Sequence, residues 1–178
     1  MTPGVARPGG RRLILLRHAK AEPAGGVSDA LRPLALLGRR QCSDVGASLL
    51  AFGLLPEHVL VSSAVRTRQT WELVRAALGD VPDAEVDVTD RVYDAGPRDV
   101  IELARGLDER VATLLVVGHE PAMSSTAALL ARDDGDSAHL AQVRTGMPTG
   151  AFAVLDVETW SGLGRGTATL LEVFRPSR

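Results

Sequence analysis

Hydrophobic positions along the chain follow two alternating rhythms. Residues 12–17 (RLILLR) and 112–118 (ATLLVVG) are continuous apolar runs, the pattern of strands covered on both faces. Residues 58–62, 85–88, 151–157 and 168–174 carry further strand patterns rich in Val, Leu and Phe. Between them the spacing turns helical. From Leu36 to Phe52 the apolar positions Leu37, Val45, Leu49 and Phe52 fall on one face, with Gly53 as the stop. Residues 66–79 place Trp71, Val74, Ala77 and Leu78 at helical spacing before Gly79, and residues 97–107 and 121–131 each open on a proline. Strand-helix alternation of this kind predicts an α/β fold, a three-layer sandwich with helices on both faces of a mainly parallel sheet. The glycine-rich stretch 158–167 predicts a hairpin between the last two runs, which adds antiparallel strands.

The strand patterns end in unusual side chains. The first delivers Arg17 and His18 together, the second passes through Ser62 and Ser63 to Arg66, and the central run ends in Gly118-His119. In a parallel sheet all three ends share one edge, the edge where such sheets bind ligands. Taken singly, His18 marks a strand reaching water, Arg66 a helix surface and His119 a helix cap. Taken jointly, two of the four histidines occupy equivalent strand ends. His58 and His139 have no such placement and read as structural or surface residues. Arginine presents a planar fork of donors that matches phosphate oxygens. A neutral imidazole can accept a phosphoryl group and so divide a transfer into two steps. Helix N-termini after His18, Ser63 and His119 would add backbone N–H donors.

Composition narrows the classes. The chain has 178 residues, 45% hydrophobic and 24% charged, which suits one globular domain over residues 11–178 preceded by a flexible tail over 1–10. Aromatics make up 3% and the net charge is −2, which argues against a nucleic-acid or anionic-membrane surface and makes any phosphate recognition local. Cys42 is the only cysteine, so neither an internal disulfide nor a cysteine zinc site is available. No apolar run approaches the roughly 20 residues of a membrane span. No secretory h-region precedes Leu13, and a cytoplasmic location is expected. No cofactor is expected. His18, Glu22, His119 and Glu120 could offer metal ligands, but the arginines beside them oppose a dication, and no metal is predicted.

Three stretches together carry a family resemblance: LLRHAKAE (15–22), SSAVRTRQT (62–70) and VVGHEP (116–121). In order and spacing they resemble the histidine phosphatase superfamily, whose fold is phosphoglycerate mutase-like, across about residues 12–175. The short length and the stretch LRPLALLGRRQ (31–41) resemble its small SixA-type phosphohistidine phosphatases, and PTGAFAVLDV (148–157) resembles that subgroup's late strand. Ala19 stands where the wider superfamily has glycine, and Ser63 where many members have proline. The resemblance implies that His18 is the nucleophile, that Arg17, Arg66 and His119 complete its phosphate pocket, and that Arg32 lies near the site. It also implies a general acid after the third strand, for which Asp90 is the candidate and Asp94 its neighbour; both also read as solvated loop carboxylates.

These readings point to a metal-independent phosphatase working through a phosphohistidine intermediate. Its expected substrate is a phosphorylated protein such as a histidine phosphotransfer domain. The alternatives are a broad-specificity phosphomonoesterase of small molecules and a non-catalytic phosphate-binding module. Attack requires neutral His18, so activity is expected to fall in acid, from an ordinary histidine value of about 6.5.

Overall fold

The computed structural model describes residues 10–133 and 138–177. The expected tail over residues 1–10 thus lies outside the described residues except for Gly10. The elements run β1 (Arg11–Arg17), a 3-10 turn (Asp29–Leu31), α1 (Leu36–Ala51), β2 (His58–Ser62), α2 (Val65–Leu78) and β3 (Glu85–Thr89). They continue with α3 (Asp90–Tyr93), α4 (Pro97–Arg105), β4 (Thr113–Gly118), α5 (Ala122–Leu130), α6 (Ala138–Arg144), β5 (Phe152–Val157) and β6 (Thr169–Phe174).

The strands form one six-stranded sheet in the order β3-β2-β4-β1-β5-β6. β1, β4, β2 and β3 are mutually parallel, and β5 and β6 join antiparallel. The apolar runs explain the layering. Leu13 and Leu15 point to one side, where they pack with Val100, Ile101 and Ala104 of α4 and Met123 and Ala127 of α5. Ile14 and Leu16 point to the other, against Val45 and Leu49 of α1 and Trp71 and Val74 of α2. All four β1 side chains are fully buried, and each contributes about 1.5–3 kcal/mol of hydrophobic stabilisation. β1 and β4 therefore form the fixed centre of the molecule. The expected α/β/α sandwich and the antiparallel final strands are both present.

Two details differ from the sequence reading. Leu37 is not on the buried face of α1; it is 39% exposed. The buried seam consists of Gly38, Gln41, Cys42, Val45, Gly46 and Leu49, and at Gly38 and Gly46 α1 lies too close to its neighbours for a side chain. A Cβ on Gly38 would stand 2.1 Å from the Lys20 carbonyl oxygen, and one on Gly46 would stand 2.5 Å from the Ala77 Cβ. The expected helix N-terminus directly after His18 is also absent, since no helix begins before the turn at Asp29. The expectations after Ser63 and His119 hold, with α2 starting at Val65 and α5 at Ala122. Gly53 and Gly79 end their helices at φ 67° and 73°, conformations that favour glycine. His58 is structural, its Nε2 lying 2.9 Å from Asp87 Oδ2 across β2 and β3.

The contact under Gly38 is with backbone, which cannot swing aside. Gly38→Ala is expected to lower stability by about 1–3 kcal/mol, the usual penalty of overpacking. Urea denaturation of the two proteins measures the difference.

Candidate active site

The parallel register sets the site. Arg17 pairs with Gly118 across β1 and β4, so His18 and His119 leave the sheet side by side. The His18 amide then donates to the Gly118 carbonyl at 2.9 Å, extending the ladder one residue. The two imidazole centroids are 5.2 Å apart. From β2, Ser62 leads into α2 and brings Arg66 to the same edge. A pocket of about 320 Å³ results, lined by Arg17, His18, Asp29, Arg66, Tyr93, Asp94, His119 and Glu120. All four residues expected at the phosphate site, Arg17, His18, Arg66 and His119, line it.

Hydrogen bonds fix both imidazoles. His18 Nδ1 lies 2.8 Å from the Ala19 carbonyl oxygen. A carbonyl only accepts, so Nδ1 carries the proton and Nε2 keeps its lone pair. Arg66 approaches His119 Nδ1 at 3.3 Å, and a guanidinium only donates. His119 Nδ1 therefore accepts, and Nε2–H donates to Ser62 Oγ at 2.7 Å. The loop beyond His18 is anchored by the helix residues of the RTRQT stretch. The Ala19 amide donates to Thr70 Oγ1 at 3.1 Å, and Thr70 in turn donates to the Arg66 carbonyl at 2.7 Å. Gln69 Oε1 accepts from the Leu34 amide at 2.8 Å.

The arginines are directed rather than mobile. Arg17 donates from Nη1 to the Met147 carbonyl at 2.7 Å. Arg66, only 5% exposed, is gripped by Asp29. Its Nη1 donates to the Asp29 carbonyl at 2.6 Å, and its Nη2 to the Asp29 carboxylate at 2.8 Å. The Tyr93 hydroxyl donates to the same carboxylate at 2.9 Å. In both arginines Nε–H is buried and has no hydrogen-bond partner in the protein. Such donors carry a desolvation cost until an acceptor meets them.

Burial and charge set the protonation states. Burial, with help from His119, Arg66 and Arg17, pushes the His18 imidazole down to about 3. Burial and then Arg66 push His119 down to about 4, with Asp29 opposing. The hydrogen bonds from Arg66 and Tyr93 hold the Asp29 carboxyl below the usual range. The expected acid limb near 6.5 is thus corrected downward for His18, because a charge there would be both desolvated and surrounded by cations.

The remaining expected residues differ in their relation to the pocket. Asp90 is outside the pocket lining and accepts a hydrogen bond from Ser63. Asp94 is the nearby carboxylate that lines the pocket. Arg32 Nε lies 3.4 Å from Asp29 Oδ1, so it touches the pocket through Asp29. Asp29 and Tyr93 were not legible beforehand. Asp29 is one polar residue in the loop sequence GGVSDAL, with no spacing that ties it to Arg66. Glu120 is held toward α5, where Ser124 donates to it from N at 3.1 Å and from Oγ at 2.5 Å. Among the described residues, no group of three or more His, Cys, Asp or Glu side chains could hold a metal ion.

The His18 state is directly measurable. The unfolded chain binds a proton at His18 near 6.5 and the folded chain near 3. Stability linked to His18 is therefore present above about 6.5 and is lost as pH falls toward 3. Imidazole nitrogen shifts should show His18 neutral and Nδ1-protonated from neutral pH to mildly acidic pH. A folded-state midpoint near 6.5 would contradict the geometry.

No family model matches the chain, but relatives and solved structures do. An uncharacterized protein of Mycobacterium tuberculosis strain H37Rv is 38% identical over 158 residues, covering 88% of this chain and 96% of the relative. A candidate phosphohistidine phosphatase SixA from Nakamurella multipartitia superposes with a TM-score of 0.81 at 32% identity, covering 95% of this chain and 98% of its own. A protein histidine phosphatase SixA in complex with tungstate superposes with a TM-score of 0.75 at 25% identity, over 93% of this chain and 97% of its own. With the sheet order and site geometry already described, these likenesses place the chain in the histidine phosphatase superfamily, within its SixA-like subgroup of phosphatases.

Proposed function

We propose that the protein hydrolyses phosphohistidine on another protein, such as a histidine phosphotransfer domain, through a phosphorylated His18. The observation that carries the reading is the His18 tautomer. With Nδ1–H donating to Ala19 at 2.8 Å, Nε2 is a neutral nucleophile, and burial keeps it unprotonated. In the first step the Nε2 lone pair attacks phosphorus and the bond from phosphorus to the substrate imidazole breaks. That imidazole, already protonated at its other ring nitrogen, leaves neutral and keeps that proton, and His18 becomes a phosphoimidazolium that retains Nδ1–H. In the second step water attacks the phosphorus on His18, the N–P bond breaks, inorganic phosphate departs and His18 is neutral again. The unpartnered Nε–H groups of Arg17 and Arg66 suit the equatorial oxygens of the transferring group. His119 can donate to the same group only once its Nδ1 takes up a proton, which the phosphate charge favours, because the neutral Nδ1 that accepts from Arg66 has no hydrogen to give. The tungstate held by a SixA relative, a tetrahedral oxyanion, supports the oxyanion part of the reading.

A phosphohistidine leaves more readily than an alkoxide, so the first step needs little acid assistance. That agrees with Asp90 standing off the pocket. The second reading, a small-molecule phosphomonoesterase, is favoured by one observation: Asp94 lines the pocket, where it could protonate an alkoxide. A cytoplasmic location belongs to the first reading. It accords with Cys42, a lone, fully buried thiol that burial pushes up to about 12.

Two comparisons test the proposal. His18→Ala should lose turnover of a phosphorylated transfer domain by at least about a thousandfold, the scale at which a lost nucleophile acts, and retained turnover would overturn the covalent route. Asp94→Asn and Asp90→Asn should leave phosphohistidine turnover nearly unchanged. A large loss on monoesters in either variant, with no turnover of phosphohistidine protein by wild type, would favour the second reading. Chelators are expected to have no effect.

A further inference from the structure

We infer that residues 27–40 form the docking surface for the phosphorylated protein, an apolar patch with a basic rim beside the catalytic pocket. The inference rests on the phosphohistidine-protein reading above. Eight large hydrophobic side chains are exposed among the described residues, and four of them, Val27, Leu31, Leu36 and Leu37, lie within eleven consecutive positions. Leu36 is 66% exposed and Leu31 61%. Exposed apolar residues scattered singly are normal on a protein surface, whereas a concentration of them marks an interaction site.

The position of this segment identifies its occupant. Asp29 lines the pocket and grips Arg66, so Val27 and Leu31 flank a residue of the site itself. The first turn of α1 is tied to the chain just beyond the nucleophile. The Ala35 amide donates to the Lys20 carbonyl at 2.9 Å, two residues after His18. A phosphohistidine on a protein reaches His18 only by the length of its own side chain, so the surface that carries it must rest on the pocket mouth. A free phosphate ester makes no such demand.

Charge gives the orientation. The chain has a net charge of −2, yet residues 20–40 hold Lys20, Arg32, Arg39 and Arg40 against Glu22 and Asp29. Arg32 is engaged with Asp29. Lys20, Arg39 and Arg40 are exposed, and among the described residues they make no ion pair. Asp94 and Glu120 line the same pocket and present carboxylates. The surface that fits is one with apolar side chains around its phosphohistidine, and with carboxylates farther out to meet Lys20, Arg39 and Arg40. Electrostatic matching of this sort speeds encounter and sets orientation.

Two variants test the surface without touching the pocket. Leu36→Asp places an acid in the first turn of α1, where the helix dipole tolerates it. Arg39→Glu/Arg40→Glu reverses the rim. Each should lower kcat/KM on a phosphorylated histidine phosphotransfer domain by at least about tenfold, mainly through KM. On a small phosphoramidate or p-nitrophenyl phosphate each should match wild type. Equal losses on protein and small substrates, or no loss on the protein, would overturn the docking surface while leaving the phosphohistidine reading in place. A wild type that hydrolyses the small compounds but not the phosphoprotein would overturn that reading, and the surface with it. Wild-type dimerisation in sedimentation that Leu36→Asp abolishes would assign the patch to a second copy of the chain and also overturn it.

Discussion

The parallel pairing of β1 with β4 is the constraint on which the site depends. It sets Arg17 opposite Gly118 and therefore releases His18 and His119 at the same level of the sheet edge. Neither histidine is placed by its own loop. Both are placed by strands whose side chains are buried on both faces, at the centre of a six-stranded sheet. A rigid scaffold of this kind holds reacting groups in position without requiring a rearrangement when substrate arrives. The loop residues then need only orient rings, as Ala19 does for His18 and Ser62 for His119.

The pocket is not simply cationic. Arg17 and Arg66 supply positive charge, but Asp29, Asp94 and Glu120 line the same space. Asp29 has a visible purpose, since it occupies Nη1 and Nη2 of Arg66 and leaves Nε free of protein partners. The carboxylate thus orients the Arg66 guanidinium. His18 stays neutral mainly because it is desolvated, with the nearby cations reinforcing the effect. An imidazole held unprotonated across the physiological range suits the nucleophilic role proposed for His18.

What the sequence made legible follows from the length scale of each signal. Continuous apolar runs announced β1 and β4, and the helical spacing of Trp71, Val74 and Leu78 announced the buried face of α2. The strand-end placement of Arg17, His18, Arg66 and His119 was legible because parallel strands convert separate sequence positions into one edge. The face of α1 was misread at Leu37, because close packing at Gly38 and Gly46 is carried by absent side chains, which leave no hydrophobic mark. The short helices α3 and α6 are too brief for periodicity. Asp29 and Tyr93 reach the site through single tertiary hydrogen bonds that no local pattern encodes. Asp90 drew attention by following the third strand, but Ser63 holds it off the pocket lining.

The central claim is that Nε2 of His18 carries the phosphoryl group between the two steps. Rapid quench at alkaline pH during turnover of a phosphorylated transfer domain, followed by mapping of the phosphorylated peptide, tests it most directly. The account predicts a transient, acid-labile phosphate on His18, attached at Nε2 because Nδ1–H is committed to the Ala19 carbonyl. Turnover with no phosphoenzyme at any time, or a phosphate found at Nδ1, would contradict it.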